Sequence, residues 1–214
     1  MGHSPDTVPV SPGGSRRVAV IAAGGSRRQV DVALVDEALR DPIAAVRATA
    51  LGARAQQGRL DAPSLVTAMA DPSPAVRRRA AQLAGSWQGR SDALTGKLID
   101  SLGDEDPLFV IAVLVALADR QAMAAITAVS AVARTSSEPL VIEEAIATLG
   151  ALGDPEGLAI ILAVLPTAKA PLRRRCVAAL GAFEGVEVEA ALDKLSEDRD
   201  WQVRQAVAML RRDG

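Results

Sequence analysis

Few side chains in this chain have types suited to covalent or metal chemistry. Cys176 is its one cysteine and His3 its one histidine, and His3 sits in a Pro/Gly/Ser-rich leader. A lone cysteine excludes an intrachain disulfide framework and a cysteine zinc cluster. Without a structured histidine there is no Ser-His-Asp triad, no His-ligated zinc and no histidine general base. Cys176 lies on a helix with no base beside it, which reads as an inert thiol. The segment RRVAVIAAGGS (16–26) could be a strand entering a glycine turn, as in nucleotide-binding units. It lacks the G-x-G-x-x-G and P-loop patterns, and a degenerate terminal repeat is the plainer reading. No cofactor and no metal is expected. Two arginine triplets, Arg77-Arg78-Arg79 and Arg173-Arg174-Arg175, remain. Successive helical residues point 100° apart, so each triplet reads as one structural arginine with solvated neighbours.

The elements that carry these residues are helices. The 214 residues are 49% hydrophobic and 23% charged, enough for a sizeable core and against wholesale disorder. Net charge is −2, so a dominant electrostatic grip on nucleic acid or anionic lipid is not expected. The early apolar run Val18 to Ala23 is too short for a membrane span or signal-peptide core. A cytoplasmic location follows as the plain expectation.

Self-similarity dominates the chain. Anchors at Arg16, Arg47, Arg77, Ala112, Glu143, Arg174 and Arg204 are spaced by 31, 30, 35, 31, 31 and 30 residues. Around them, apolar or small residues recur one before, three after and four after, which is one helical face. Asp41-Pro42, Asp71-Pro72, Asp106-Pro107 and Glu138-Pro139 place an acid before a proline, a helix-start pattern. Gly85, Gly150 and Gly181 fall where C-terminal glycines belong. Second stripes lie between, such as Leu94, Leu98 and Leu102, or Leu158, Ile161, Leu162 and Leu165. The unit is helix, turn, helix, and one pair cannot bury its own apolar face, so pairs must stack. Residues 1–12 read as a flexible tail, and 13–214 as about six helix pairs plus a terminal helix.

The segments DPSPAVRRRAAQLAG (71–85), DPIAAVRATALGARA (41–55) and PLRRRCVAALGAFEG (171–185) resemble HEAT repeats of the short, phycobilisome-lyase-like type. The resemblance runs from about residue 15 to 213. It implies an all-α, right-handed solenoid of stacked antiparallel helix pairs, a HEAT-like superhelix. It also implies a ladder between the Asp before each first helix and the Arg within it. Asp41/Arg47 and Asp71/Arg77 fit; Asp106 with Ala112 and Glu138 with Glu143 depart from it. A related enzyme, deoxyhypusine hydroxylase, holds iron on His-Glu pairs, and this chain has none. Bilin lyases of related repeat type offer no short motif to check. HEAT-like DNA glycosylases use aromatics in a basic groove, whereas Trp87 and Trp201 lie far apart in repeat order.

The function the resemblance implies is non-catalytic: a scaffold or adaptor holding another protein. A lyase-like accessory activity is the first alternative and nucleic-acid binding the second. In such a fold second helices line the concave face, which places Met123, Thr127, Ser130, Arg134 and Ile160 against a partner, with Glu156 nearby. The helix around Ala112 is apolar all round. Its face with Val110, Val113, Leu114 and Leu117 is either covered by neighbouring helices or a convex contact for self-association or a second partner. Leu83, Leu149, Leu180 and Leu210 share one repeat offset and are expected in the core.

Overall fold

The computed structural model describes residues 12–213. The tail expected over 1–12, with His3, lies outside the described residues up to position 11, and Pro12 opens the first helix. Thirteen α-helices and three short 3-10 turns, with no strand, make up the described secondary structure. The segment weighed as a strand is helix α1 (Pro12–Gly24).

Two compact units divide the chain, 1–83 and 84–214. The first contains α1, α2 (Gln29–Ala38), α3 (Ala44–Gln56), α4 (Ala62–Ala68) and most of α5 (Pro74–Ser86). Here α1 packs on both α2 and α3, and α2 on α3. Val20, Val35, Val46 and Ala50 form its centre, with Leu39 and Ile43 at the edge. The second unit holds α6 (Asp92–Asp100), α7 (Pro107–Asp119), α8 (Ile126–Thr135), α9 (Pro139–Leu152) and α10 (Pro155–Val164). It continues through α11 (Ala170–Leu180), α12 (Val186–Ser196) and α13 (Trp201–Asp213). First helices stack in a row, α7 on α9, α9 on α11 and α11 on α13. Second helices α8 and α10 pack on each other and on α9. Phe109, Leu114, Ile146, Leu149, Ile161 and Leu180 are sealed within this unit.

A recurrent turn sets each first helix. Asp41, Asp71, Asp104 and Asp198 accept a hydrogen bond from the backbone N–H two residues on, and the Ser136 hydroxyl does the same. Such Asx and ST turns fix the chain direction before the helix. Pro107 and Pro139 are the first residues of α7 and α9, as the acid-proline pattern predicts. Pro42 and Pro72 instead lie inside the turn, ahead of helices that begin at Ala44 and Pro74.

These turns also correct the repeat register. Six residues after each one stand Arg47, Arg77, Val110, Ile142 and Arg204, and Arg173 holds the corresponding place with one residue fewer. Nη1 of Arg47, Arg77, Arg173 and Arg204 donates to the carbonyl of Asp41, Asp71, Ala168 and Asp198 respectively. The true anchors are therefore Arg16, Arg47, Arg77, Val110, Ile142, Arg173 and Arg204, spaced 31, 30, 33, 32, 31 and 31. The anchors expected at Ala112, Glu143 and Arg174 thus lie two, one and one residues too late. The physical cause is unequal loop length, which side-chain pattern alone does not reveal in a helix apolar all round.

Displacement has consequences, because each residue of slip rotates a side chain by 100°. Val110, Val113, Leu114 and Leu117 fall at core offsets and are 5%, 0%, 0% and 0% exposed. The convex contact proposed for them is thereby overturned: in this fold they are core, covered in part by α6, α9 and the turn 101–103. The exposed large side chains of α7 are Leu108 and Val115. Cys176 moves to a core offset, and burial pushes its thiol up to about 12, which keeps it protonated and unreactive. Leu83, Leu149 and Leu180 are buried as expected, whereas Leu210 is only half-buried. Leu149 and Leu180 are seven residues past their true anchors, Leu210 six, so they do not share an environment.

The expected C-terminal glycines mainly serve close packing. Gly24, Gly85, Gly150 and Gly181 each lie eight residues past an anchor. A Cβ on them would meet Ala53, Ala116, Ala179 and Leu210, the residues six past the next anchor. At Gly150 that Cβ would lie 2.8 Å from Ala179 Cα, so backbone would have to move. Gly96 in α6 has open space instead. Gly96→Ala should therefore stabilise by about 0.5–1 kcal/mol through helix propensity. Gly150→Ala should destabilise by about 1–3 kcal/mol through overpacking. Urea titration of both variants reads the opposite signs; stabilisation by both would disprove the close approach of α9 and α11.

Candidate functional site: an apolar gap in the arginine ladder

The ladder implied by the resemblance is present at the described ends of the chain. Arg16 pairs with Asp41 at 3.1 Å. Arg47 holds Asp71 through two hydrogen bonds of 2.7 and 2.8 Å. Arg173 holds Asp198 likewise, at 2.6 and 2.7 Å. Bidentate guanidinium–carboxylate pairs are the strong form of this contact. Arg173 holds the Asp198 carboxyl below the usual carboxylate range. At Asp71 burial opposes ionisation, but hydrogen bonds from Arg47 and the Ser73 N–H outweigh it and the net direction is again downward. In the first unit Arg59 and Arg54 converge on Asp36, and the Arg59 hydrogen bond lowers its carboxyl too.

Between these ends the ladder changes character. Val110 and Ile142 occupy the arginine place, and Ser136 and Ala168 the aspartate place. Where Arg47 and Asp71 bridge repeats, the surface is a depression of about 550 Å³ in which Asp36, Arg40 and Arg54 stand beside Leu39, Leu51 and Val76. At the corresponding place in the second unit, Ile142 and Ala168 lie in a groove of about 640 Å³. Pro139, Val164, Pro171 and Leu172 line it together with the charged Arg134, Glu143 and Lys169. Ile142, Val164 and Leu172 are half-buried, so their apolar atoms face both the core and the groove. Its size is that of pockets that take small ligands or peptide side chains, about 300–1,000 Å³.

The sequence-predicted residues divide around this groove. Arg134 is exposed and lies at its rim. Met123 is 47% exposed, and Thr127 is exposed and donates to Glu156 at 3.4 Å. Met123, Thr127 and Arg134 thus share an open side of α8 and the turn before it. Ser130 and Ile160 do not: they are 0% and 7% exposed. The reason is that α8 and α10 pack on each other as well as on α9, so each buries more than one stripe. These two are corrected from contact residues to interior residues. Ile142 and Leu172 are not legible from the repeat pattern, because anchors at Glu143 and Arg174 stand one residue late, and nothing in the pattern singles out Val164. The missing signal was the loss of the turn aspartate at Ala168.

Of the two tryptophans, Trp201 is exposed at the start of α13. Trp87 packs under Arg120, whose guanidinium sits 5.6 Å from the ring centroid and donates to the carbonyls of Ala84, Trp87 and Gly89. That arrangement fastens the end of α5 and its following loop. Trp87 is therefore committed to structure.

The HEAT-repeat family profile matches residues 62–147, 95–181 and 126–211, overlapping windows that span 62–211. The chain belongs to the HEAT-repeat family. No curated protein matches it by sequence. Among solved structures, an engineered protein is similar at TM-score 0.53 and 18% identity, over 91% of this chain and 94% of that one. A designed armadillo repeat protein in complex with the peptide (KR)4 is similar at TM-score 0.56 and 15% identity, over 90% and 97%. Human deoxyhypusine hydroxylase in complex with glycerol overlaps at TM-score 0.48 and 19% identity, over 96% and 80%. The first two likenesses establish the fold class, a helical-repeat solenoid. Among the described residues of this HEAT-repeat chain no helix is long and apolar enough to cross a membrane.

Proposed function

We propose that this HEAT-repeat protein is a non-catalytic adaptor that holds a protein partner in the groove over Ile142 and Leu172. One observation carries the reading. The ladder is replaced by apolar residues where the groove opens, while it remains charged at Arg47–Asp71 and Arg173–Asp198. An apolar pocket with a basic rim suits a segment that inserts an aliphatic side chain and presents a carboxylate to Arg134 or Lys169. Met123 and Thr127 extend the surface along α8. Buried, protonated Cys176 supports the non-catalytic reading, since it is the chain's one thiol. The likeness to a designed armadillo protein that holds a peptide agrees in mode, though not in charge.

Purification from the native host with a photocrosslinker at position 169 should capture a protein partner, with the crosslink mapped to one segment of it. Ile142→Glu with Leu172→Glu should lose that partner while the melting temperature holds within a few degrees. Met123→Glu should weaken it less. Retention of the partner by the double variant would overturn the placement. Absence of any stoichiometric protein partner would overturn the adaptor reading.

A further inference from the structure

The first and last helix pairs of the described chain present outer faces of different kinds. Terminal repeats of a solenoid ordinarily carry a polar outer face. The last pair does: Arg211 of α13 bridges Glu189 and Asp193 of α12 at 3.4 and 2.6 Å. The first pair does not. The residue six past each anchor is where a first helix meets the one before it, and Ala53, Ala116, Thr148 and Ala179 are all buried there. Ala22 of α1 holds that place and is exposed, and Val18, one turn earlier, is 64% exposed.

The same holds for α2. Val30 and Leu34 stand fourteen and eighteen residues past Arg16, as Glu156 and Ile160 do past Ile142. Those two meet the preceding second helix, Glu156 through Thr127 of α8 and Ile160 by burial where α10 packs on α8. Val30 and Leu34 are both exposed. Ala19 and Leu34 line one cleft of about 310 Å³ between α1 and α2, so the apolar atoms of the two helices form a continuous surface. Among the described residues, no helix covers it.

The charges of this face select its occupant. In the cleft, Arg16 is paired with Asp41, and Arg40 lies in the field of Asp36. Arg27 and Arg28, in the turn between α1 and α2, and Glu37, in the last turn of α2, are exposed and have no ion-pair partner among the described residues. They stand at opposite ends of the face, about 14 Å apart along α2. A two-fold axis through its middle lays Arg27 and Arg28 of each copy over Glu37 of the other, and both ends are satisfied at once. Such rim charges fix orientation and select the partner. Head-to-tail stacking is disfavoured at the other end. First helices approach their predecessors over a glycine eight past the anchor at Gly24, Gly85, Gly150 and Gly181. In α13 that place holds the exposed Arg212, so α1 of another copy cannot seat there as closely.

We infer that the outer face of α1 and α2 binds the same face of a second copy of this chain, in a closed two-fold dimer. Val18, Ala22, Val30 and Leu34 form its apolar centre, and burying them drives association. Arg27, Arg28 and Glu37 form its reciprocal rim.

The test is the oligomeric state of the full chain, read by sedimentation equilibrium over a wide range of concentration. One monomer–dimer equilibrium should describe it, with no larger species. Val18→Glu with Val30→Glu, both at exposed positions, should weaken the dimer at least about tenfold, with helicity and melting unchanged. Charge reversal tests the two-fold itself. Glu37→Arg in one protein, and Arg27→Glu with Arg28→Glu in another, should each weaken the homodimer, because every copy then meets like charge. An equimolar mixture of these two proteins should dimerise as the wild type does, because both ends are complementary again. A full chain that is monomeric at every concentration would overturn the proposal, as would growth beyond two copies. A dimer that appears only after residues 1–11 are removed would give the face to that segment and overturn it too. So would undiminished dimerisation of the Val18 and Val30 variant, or reversed proteins that associate no better together than apart.

Discussion

Leu149→Ala should lose about 2–5 kcal/mol of unfolding free energy in urea titration. Leu149 is fully buried on α9, and α9 is packed by α7, α8, α10 and α11. Gly157 of α10 lies so close that a Cβ there would sit 3.3 Å from Leu149 Cβ. With neighbours on every side, the cavity left by truncation has little room to collapse. Leu210→Ala should lose distinctly less. Leu210 is half-buried on the last helix and covers Gly181 from one side only. A side chain with fewer packed neighbours leaves a smaller cavity on truncation, which predicts this difference. Equal losses at the two sites would contradict it.

Breaking the last rung of the ladder should be comparably costly. The Arg173 and Asp198 side chains are each about 10% exposed and joined by two short hydrogen bonds. Arg173→Val leaves the Asp198 carboxylate without its partner in a largely buried site, and should cost about 3–5 kcal/mol. The chain itself supplies the compensating change. Val110 and Ser136 fill the corresponding arginine and turn places in the middle repeats, and the Ser136 hydroxyl still accepts the turn hydrogen bond from the Glu138 N–H. Arg173→Val combined with Asp198→Ser should therefore be more stable than Arg173→Val alone. A double variant less stable than that single one would show that the apolar rung needs more than these two positions.

Acid should act through the same rung. The folded-state pKa of Asp198 lies below its ordinary value of 3.8, chiefly through the Arg173 hydrogen bonds and against the opposing effect of burial. A carboxyl whose folded pKa is lowered contributes stability that is complete above 3.8 and is lost as pH falls through the folded value. Asp71 behaves in the same direction. Wild-type stability should fall below about pH 4. Asp198→Ser should be less stable at neutral pH and should show a shallower acid loss. An identical slope in the two proteins would remove Asp198 from the account.

Much of this architecture was legible in the residues. Stripes at helical spacing, separated by acid-proline and glycine punctuation, specify amphipathic helices about one repeat apart. An apolar face that one pair cannot bury alone requires stacking. The offsets around Arg47, Arg77 and Arg204 predicted Val46, Ala50, Leu51, Val76, Ala80, Ala81, Val203 and Val207 in the core, and these are buried, whereas Ala208 at the same offset as Leu51 is exposed. A conspicuous charged side chain fixed the phase at those positions. In α7 and α9 the charged marker is gone, and with apolar residues on several sides the pattern no longer identifies a face.

Sequence by itself therefore determined the helices and their pairing into repeats, while the resemblance to HEAT repeats implied the ladder whose Arg47–Asp71 rung the structure contains. Tertiary structure alone decided the phase of the middle helices. An anchor placed two residues off because a loop is longer or shorter turns the expected face by two steps of 100° and exchanges inside for outside. That shift put Val110, Val113, Leu114 and Leu117 in the interior and Ile142 in the groove, while the packing of α8 on α10 and of both on α9 buried Ser130 and Ile160. Local periodicity dictates which residues share a helix face, because that depends on 3.6 residues per turn. Which faces meet across repeats depends on loop geometry and on close approaches such as Gly150 to Ala179, and those distances exist only once the helices are packed.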